Sequence, residues 1–412
     1  MAGQLVHVGY GGFGPVEAVW NLQRGTITAD EFYVGRLSDV VGRVSVQDGG
    51  INVGRMEIRG FSQSYLDLAH SDARIRVSEF LKFGSKIVLT AVPGAAIHMT
   101  GAAFENESTD EDALAGLGNL ELIFEGGAAE TDPVEVAGED RGPVWDGFAG
   151  NFTFGGLTLG GADVGQVRLL DATDNGNRGG PAGTDEAQYV KRLRVGPGST
   201  LNLNNLNLYY LAGSIDPSAM VEPGGVSLTK VPAIEAASAT ALTTTFSPTG
   251  GAHGLGTLSL ADAADIVVET DDGQQTTYAG GTFSLQTSLF SDESAGGLAS
   301  GVFEDGEILI VDAASEDLLA ADLVDLVLEE VQGEDLLAGA GRFEITGGSL
   351  EGGFVYPVGE AVQITFEIEP SEIDDFASGF AGLSNVTLTP EPATLALLAV
   401  GGLGVLLRRR RV

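Results

Sequence analysis

Residues 193–208 read Leu193-Arg194-Val195-Gly196-Pro197-Gly198-Ser199-Thr200-Leu201-Asn202-Leu203-Asn204-Asn205-Leu206-Asn207-Leu208. Three triplets alternate apolar and polar side chains, and Gly, Pro and Asn separate them. A period of two means strands with one buried face. The separators permit positive φ or pre-set φ, as corners require. The same wording recurs upstream in Val44-Ser45-Val46, Ile51-Asn52-Val53, Met56-Glu57-Ile58 and Ile75-Arg76-Val77. It recurs again in Leu120-Glu121-Leu122, Phe152-Thr153-Phe154 and Leu157-Thr158-Leu159, with Gly49-Gly50, Gly155-Gly156 and Gly160-Gly161 as further punctuation. Strands this short, with corners this frequent, predict the coils of a parallel β-solenoid over residues 1–212.

The second half alternates over longer runs, among them Glu307 to Val311, Gly341 to Thr346 and Val362 to Ile368. Gly-Gly pairs at 280–281, 296–297, 347–348 and 352–353 read as turns. The expectation for 213–389 is an antiparallel β-sandwich. Leu318 to Leu337 fits a helical stripe as well as alternation, and the all-β surroundings favour strand. The boundary near Gly213 coincides with a change in charge. Up to Ala212 there are 15 basic and 27 acidic residues; from Gly213 to Leu407 only Lys230 and Arg342 face 31 acids.

Over 412 residues the formal charge is −37, and glycine, 61 residues, is roughly twice as frequent as usual. Acidic residues outnumber basic ones 58 to 21, so no basic surface able to neutralise many phosphates is expected, which argues against a nucleic-acid binder. With no cysteine there are no disulfides, catalytic thiolates or Cys-ligated zinc.

The C-terminus departs from this pattern. Pro390-Glu391-Pro392 precedes fifteen uncharged residues, Ala393 to Leu407, and then Arg408-Arg409-Arg410-Arg411-Val412. About 17 to 20 apolar residues span a bilayer, and arginines can snorkel, so residues 390–412 predict a single transmembrane helix held by a cytoplasmic Arg flank. Pro-Glu-Pro, an apolar helix and an arginine cluster together resemble the PEP-CTERM sorting signal of bacterial exported proteins, with Pro390, Glu391 and Pro392 as the sorting motif. The resemblance implies export to the cell envelope and processing by an exosortase. Bearers of that signal are commonly surface or extracellular-matrix proteins, often in bacteria that make exopolysaccharide. The solenoid stretches 169–180 and 201–206 also resemble autotransporter-type repeats. Met1 to Tyr10 has no basic n-region, apolar h-region or A-x-A site. A signal peptide is therefore expected upstream of a truncated start.

Catalytic motifs are absent: His7, His70, His98 and His253 are scattered, and there is no G-x-S-x-G, H-E-x-x-H or P-loop. Asp171-Ala172-Thr173-Asp174-Asn175-Gly176-Asn177 is the metal candidate, because oxygen side chains around a glycine can curl about Ca²⁺. Asp171, Asp174, Asn175 and Asn177 would be the ligands. The spacing departs from the EF-type loop, and Ala182 stands where a Glu would close it; ordinary turns use the same residues. Two functional expectations follow. The first is a non-enzymatic envelope or matrix protein whose elongated acidic ectodomain contacts surfaces or polysaccharide. The second is a secreted polysaccharide lyase or glycoside hydrolase, with Arg168, Arg178, Lys191, Arg192 and Arg194 beside Asp163, Asp171 and Asp174.

Overall fold

A computed structural model describes residues 4–9, 16–35, 40–59, 62–129, 131–226, 228–249, 255–294, 298–331, 336–353, 362–370 and 376–390. The chain divides into two compact units, one essentially residues 1–231 and the other essentially residues 232–412. Strands dominate both. The helical elements among the described residues are three 3₁₀ segments, Asp112–Asn119, Trp145–Phe148 and Glu351–Gly353.

The first unit is a parallel solenoid, as its triplets predict. Each coil stacks its apolar positions on the next. One inward ladder runs Ile51, Ile75, Ile97, Leu122, Leu157 and Leu193. A second runs Val53, Val77, Met99, Phe124, Leu159 and Val195 on the same wall. A third, on the adjoining wall, runs Phe32, Met56, Leu81, Phe104, Val134 and Leu169. Nearly all of these are fully buried. Each such side chain contributes about 1.5–3 kcal/mol relative to exposure, and adjacent coils share the benefit.

The remaining wall changes character along the stack. In early coils it is a four-stranded sheet of Val16–Leu22, Val40–Val46, Ser64–Leu68 and Ile87–Ala91. The 3₁₀ segment Asp112–Asn119 then packs on Ile87–Ala91, and Asn119 Nδ2 donates to the Ala91 carbonyl at 2.8 Å. Later coils replace it with two loops, around 136–153 and 171–187, joined by mutual hydrogen bonds between Gly138 and Ala187.

Two sequence expectations shift here. Gly155-Gly156 lies inside the strand Phe154–Leu159 rather than at a corner. A Cβ at Gly155 would sit 2.6 Å from the Gly118 carbonyl oxygen, so glycine permits a close approach between coils. The solenoid also continues past residue 212: Leu208–Ile215 pairs with Leu228–Lys230. The charge shift at Gly213 therefore falls within a strand and marks a change of surface composition, not the end of the coils.

The second unit is a closed barrel where a sandwich was expected. Its eight strands are Ile234–Ser247, Thr257–Thr270, Gln275–Asp292, Ser300–Val311, Asp317–Glu330, Leu337–Gly347, Val362–Pro370 and Phe380–Pro390. Each pairs antiparallel with the next, and the first pairs with the last, for example Phe246 with Phe380. Alternation is the same in a sandwich and a barrel; closure of the outer edges is what differs. Residues 317–330 form a strand, in keeping with their surroundings. Gly280-Gly281 is not a turn. It lies within Gln275–Asp292, beside a register shift opposite Ala264 and Ile266, and Gly280 adopts φ of 68°. Such bulges bend long strands and help a sheet close.

Inward positions of the barrel carry Leu258, Leu260, Phe283, Leu285, Ile308 and Ile364, all buried. Phe246, Phe303, Phe376 and Phe380 make mutual ring contacts, with centroids 5.2–6.2 Å apart. Eight strands leave an interior just wide enough for side chains to fill.

Candidate functional site

The sequence places its metal candidate on the loop that forms the third wall of a late coil, after the strand Gln166–Leu170. Here the side chains diverge. Arg178 grips the Asp171 carboxylate through its guanidinium, with Nε 3.0 Å from Oδ1, and Asp171 Oδ2 accepts the Glu186 amide at 3.1 Å. Asp174 Oδ1 accepts the Gly176 amide at 2.9 Å, closing an Asx turn. Asn175 donates from Nδ2 to the carbonyls of Asn106 and Ser108, at 3.1 and 2.7 Å. Asn177 Nδ2 donates to the Ala137 carbonyl at 2.6 Å. Asn175 and Asn177 pin the loop to neighbouring coils, Asp171 and Asp174 bond within the loop itself, and the four are not gathered about one point. Among the described residues no group of three or more His, Asp or Glu side chains is arranged to hold a metal ion.

The residue that sequence reading missed is Glu186. Its side chain is 1% exposed. Oε1 accepts the amides of Asn175 and Asn177, at 2.8 and 3.3 Å, while Oε2 and the Asn175 Oδ1 have no hydrogen-bond partner among the described residues. Burial, with the Asp171 charge nearby, pushes the Glu186 carboxyl up to about 7. Burial likewise raises the Glu135 carboxyl, although it accepts the Thr173 amide at 2.6 Å. A general acid must reach its substrate, and both carboxyls are turned into the protein and used on loop amides. The neighbouring loop is organised similarly by Asp140, 2% exposed. Asp140 accepts from Tyr209 Oη at 3.0 Å and Asn207 Nδ2 at 2.7 Å. Burial raises the Tyr209 phenol, and the Asp140 contact adds to the shift.

Of the cations expected to flank a catalytic acid, Arg178 meets Asp171 and Arg168 turns to Asn204 Oδ1 at 2.8 Å. Arg192 and Arg194 are exposed on the outer wall. Stacking also joins residues the sequence holds far apart. Glu125 Oε1 lies 2.9 Å from Arg76 Nη1 and 3.0 Å from His98 Nδ1. Burial opposes ionisation of Glu125, but the Ala162 amide, His98 and Arg76 outweigh it and hold its carboxyl below the usual range. No local motif signals this trio; only coil register brings it together.

The barrel's closing strand ends at Pro390, whose backbone pairs with Val362. Glu391, Pro392, the segment Ala393–Leu407 and Arg408–Arg411 lie outside the described residues. Residues 388–411 match the PEP-CTERM protein-sorting motif. That PEP-CTERM segment implies an exported, envelope-associated protein handled by an exosortase. It begins inside the barrel, since Leu388 is buried and pairs with Ala237 and Ile364. Among the described residues no helix is long and apolar enough to cross a membrane. No curated protein and no solved structure matches the chain.

Proposed function

We propose that this chain is a non-enzymatic protein of the cell envelope or extracellular matrix. In this reading Ala393–Leu407 crosses the membrane, Arg408, Arg409, Arg410 and Arg411 hold its end at the cytoplasmic face, and an exosortase processes the chain near Pro390-Glu391-Pro392. The solenoid and the acidic barrel then form the body displayed outside, where they contact surface polysaccharide or neighbouring proteins.

The observation that carries the proposal is the PEP-CTERM match at 388–411, which starts within the closing strand of a folded domain. The buried carboxylates of the late coils support a scaffold rather than a catalyst, because their lone pairs hold loops in place. The barrel's acidic outer wall supports solubility and spacing. The test is expression in a host carrying an exosortase, followed by fractionation and intact mass. The chain should lose its C-terminal segment, and a variant altered at Pro390, Glu391 and Pro392 should insert but keep full mass. If the parent chain and the variant both stay soluble and full-length, the reading fails.

A further inference from the structure

Arg192 and Arg194 occupy alternate positions of the strand Gln188–Val195, so both project from the outer face of one wall. Both are exposed, while Leu193 and Val195 between and beside them are buried. Their ladder neighbours are small: Arg192 lies between Gly156 and Ala212, and Arg194 between Thr158 and Ser214. The two long side chains therefore stand clear of the wall.

Their electrostatic setting separates them from every other described cation. Arg24, Arg43, Arg55, Arg59, Arg76, Lys82, Arg141, Arg178 and Arg342 each lie in an ion pair. Arg74 donates to carbonyls, Arg168 to Asn204, and Lys86, Lys191 and Lys230 also have partners. Among the described residues, Arg192 and Arg194 are the only lysine or arginine side chains without an ion pair, hydrogen bond or ring contact. On a chain of charge −37, carboxylates are plentiful, yet among the described residues none forms an ion pair with these two; the nearby acid on this wall, Glu121, leans over Gly156 and accepts from Thr158 Oγ1 at 2.7 Å. A guanidinium presents a rigid fork that matches a carboxylate through two parallel hydrogen bonds. Same-face positions on a strand repeat at about 7 Å, so the two forks can take two acidic groups along one extended ligand.

We propose that Arg192 and Arg194 form a shelf that binds the carboxylates of an acidic saccharide chain. The four ladder neighbours supply small or hydroxyl-bearing residues, and none offers the aromatic or aliphatic anchor that protein interfaces use. The shelf deepens the surface-contact reading above, and rests on it only for where the ligand is met.

The test is calorimetric titration of the full-length chain with an oligogalacturonate, beside the same oligosaccharide with its carboxyls reduced to alcohols. At about 0.15 M salt the Debye length of about 8 Å screens most of the chain's net charge. The acidic form should bind at least about tenfold more tightly than the neutral form. The double variant R192A/R194A should lose at least about tenfold, while keeping the parent melting temperature because both side chains are exposed. R192K/R194K, which keeps charge but not the fork, should fall between, and R24A should bind like the parent. Equal binding of the neutral form, undiminished binding by R192A/R194A, or no binding of the acidic form overturns the proposal. Displacement by sulfate at equal molar concentration also overturns it, by reassigning the shelf to free oxyanions. Binding without export would remove the envelope reading and leave the shelf; export without binding would do the reverse.

Discussion

In the solenoid, Leu122 stacks between Ile97 and Leu157, which belong to the coils before and after its own. In the barrel, Leu260 lies opposite Leu285, and Leu285 opposite Ile308, each on a strand adjacent in sequence. Both regions bury aliphatic side chains from alternating strands. They differ in where cooperativity resides. A solenoid's stability is approximately a sum over neighbouring coils, so damage stays local. A barrel has no edge only while all eight strands are present, so one missing strand exposes two.

The largest expected effect tests that closure. A chain ending at residue 379 lacks Phe380–Pro390, which pairs with both Ile234–Ser247 and Val362–Pro370. Its barrel should not fold, and thermal unfolding followed by circular dichroism should lose the barrel's transition while keeping the solenoid's. Retention of both transitions would show that closure is dispensable.

Next comes Leu122→Ala, which removes a fully buried member of a ladder. The expected cost is about 3 kcal/mol. Hydrogen exchange should show the loss concentrated in strands Ala96–Met99, Glu121–Phe124 and Phe154–Leu159. Phe283→Ala in the barrel, of similar cost, should instead weaken protection around the whole barrel. Uniform loss in both variants would erase the contrast.

Glu186 gives a smaller, pH-dependent effect. Its carboxyl is pushed up to about 7 when folded, against an ordinary value of 4.5 for a solvated glutamate. Unfolding between those values releases the proton, so stability falls as pH rises from 4.5 to 7 and the loss is complete above that. Glu186→Gln keeps the loop contacts without the charge. It should match the parent near pH 4 and exceed it by about 2–3 kcal/mol at pH 8, read from denaturant melts across pH. A flat difference with pH would place the strain elsewhere.

The smallest expected effect is at Arg342, whose partner Asp325 is also substantially exposed. Arg342→Ala should cost at most about 1 kcal/mol and less at high salt. A larger, salt-independent loss would mean that this pair holds the barrel wall together.

Much of the architecture was legible in the residues. Triplets such as Ile75-Arg76-Val77 and corners such as Gly196-Pro197-Gly198 dictate short strands with one buried face, because β side chains alternate and glycine tolerates positive φ. Pro390-Glu391-Pro392, the uncharged run and four arginines likewise identify a sorting segment through local order alone. Pairing partners are another matter. Whether the last long strand closes on the first, whether Gly280-Gly281 turns or bulges, and where the coils end depend on contacts between residues far apart in the chain. The site followed the same division. Asp171, Asp174, Asn175 and Asn177 looked like ligands because oxygen side chains cluster in sequence, but tertiary hydrogen bonds to Asn106, Ser108 and Ala137 direct the two asparagines to separate anchors. Alternation, turn chemistry and the terminal signal are local, set by residues within a few positions of one another, and net charge follows from composition alone. Closure, coil register, the raised carboxyl of Glu186 and, among the described residues, the two arginines without an ion pair come from the packed fold, because each depends on which distant backbone and charges lie nearby.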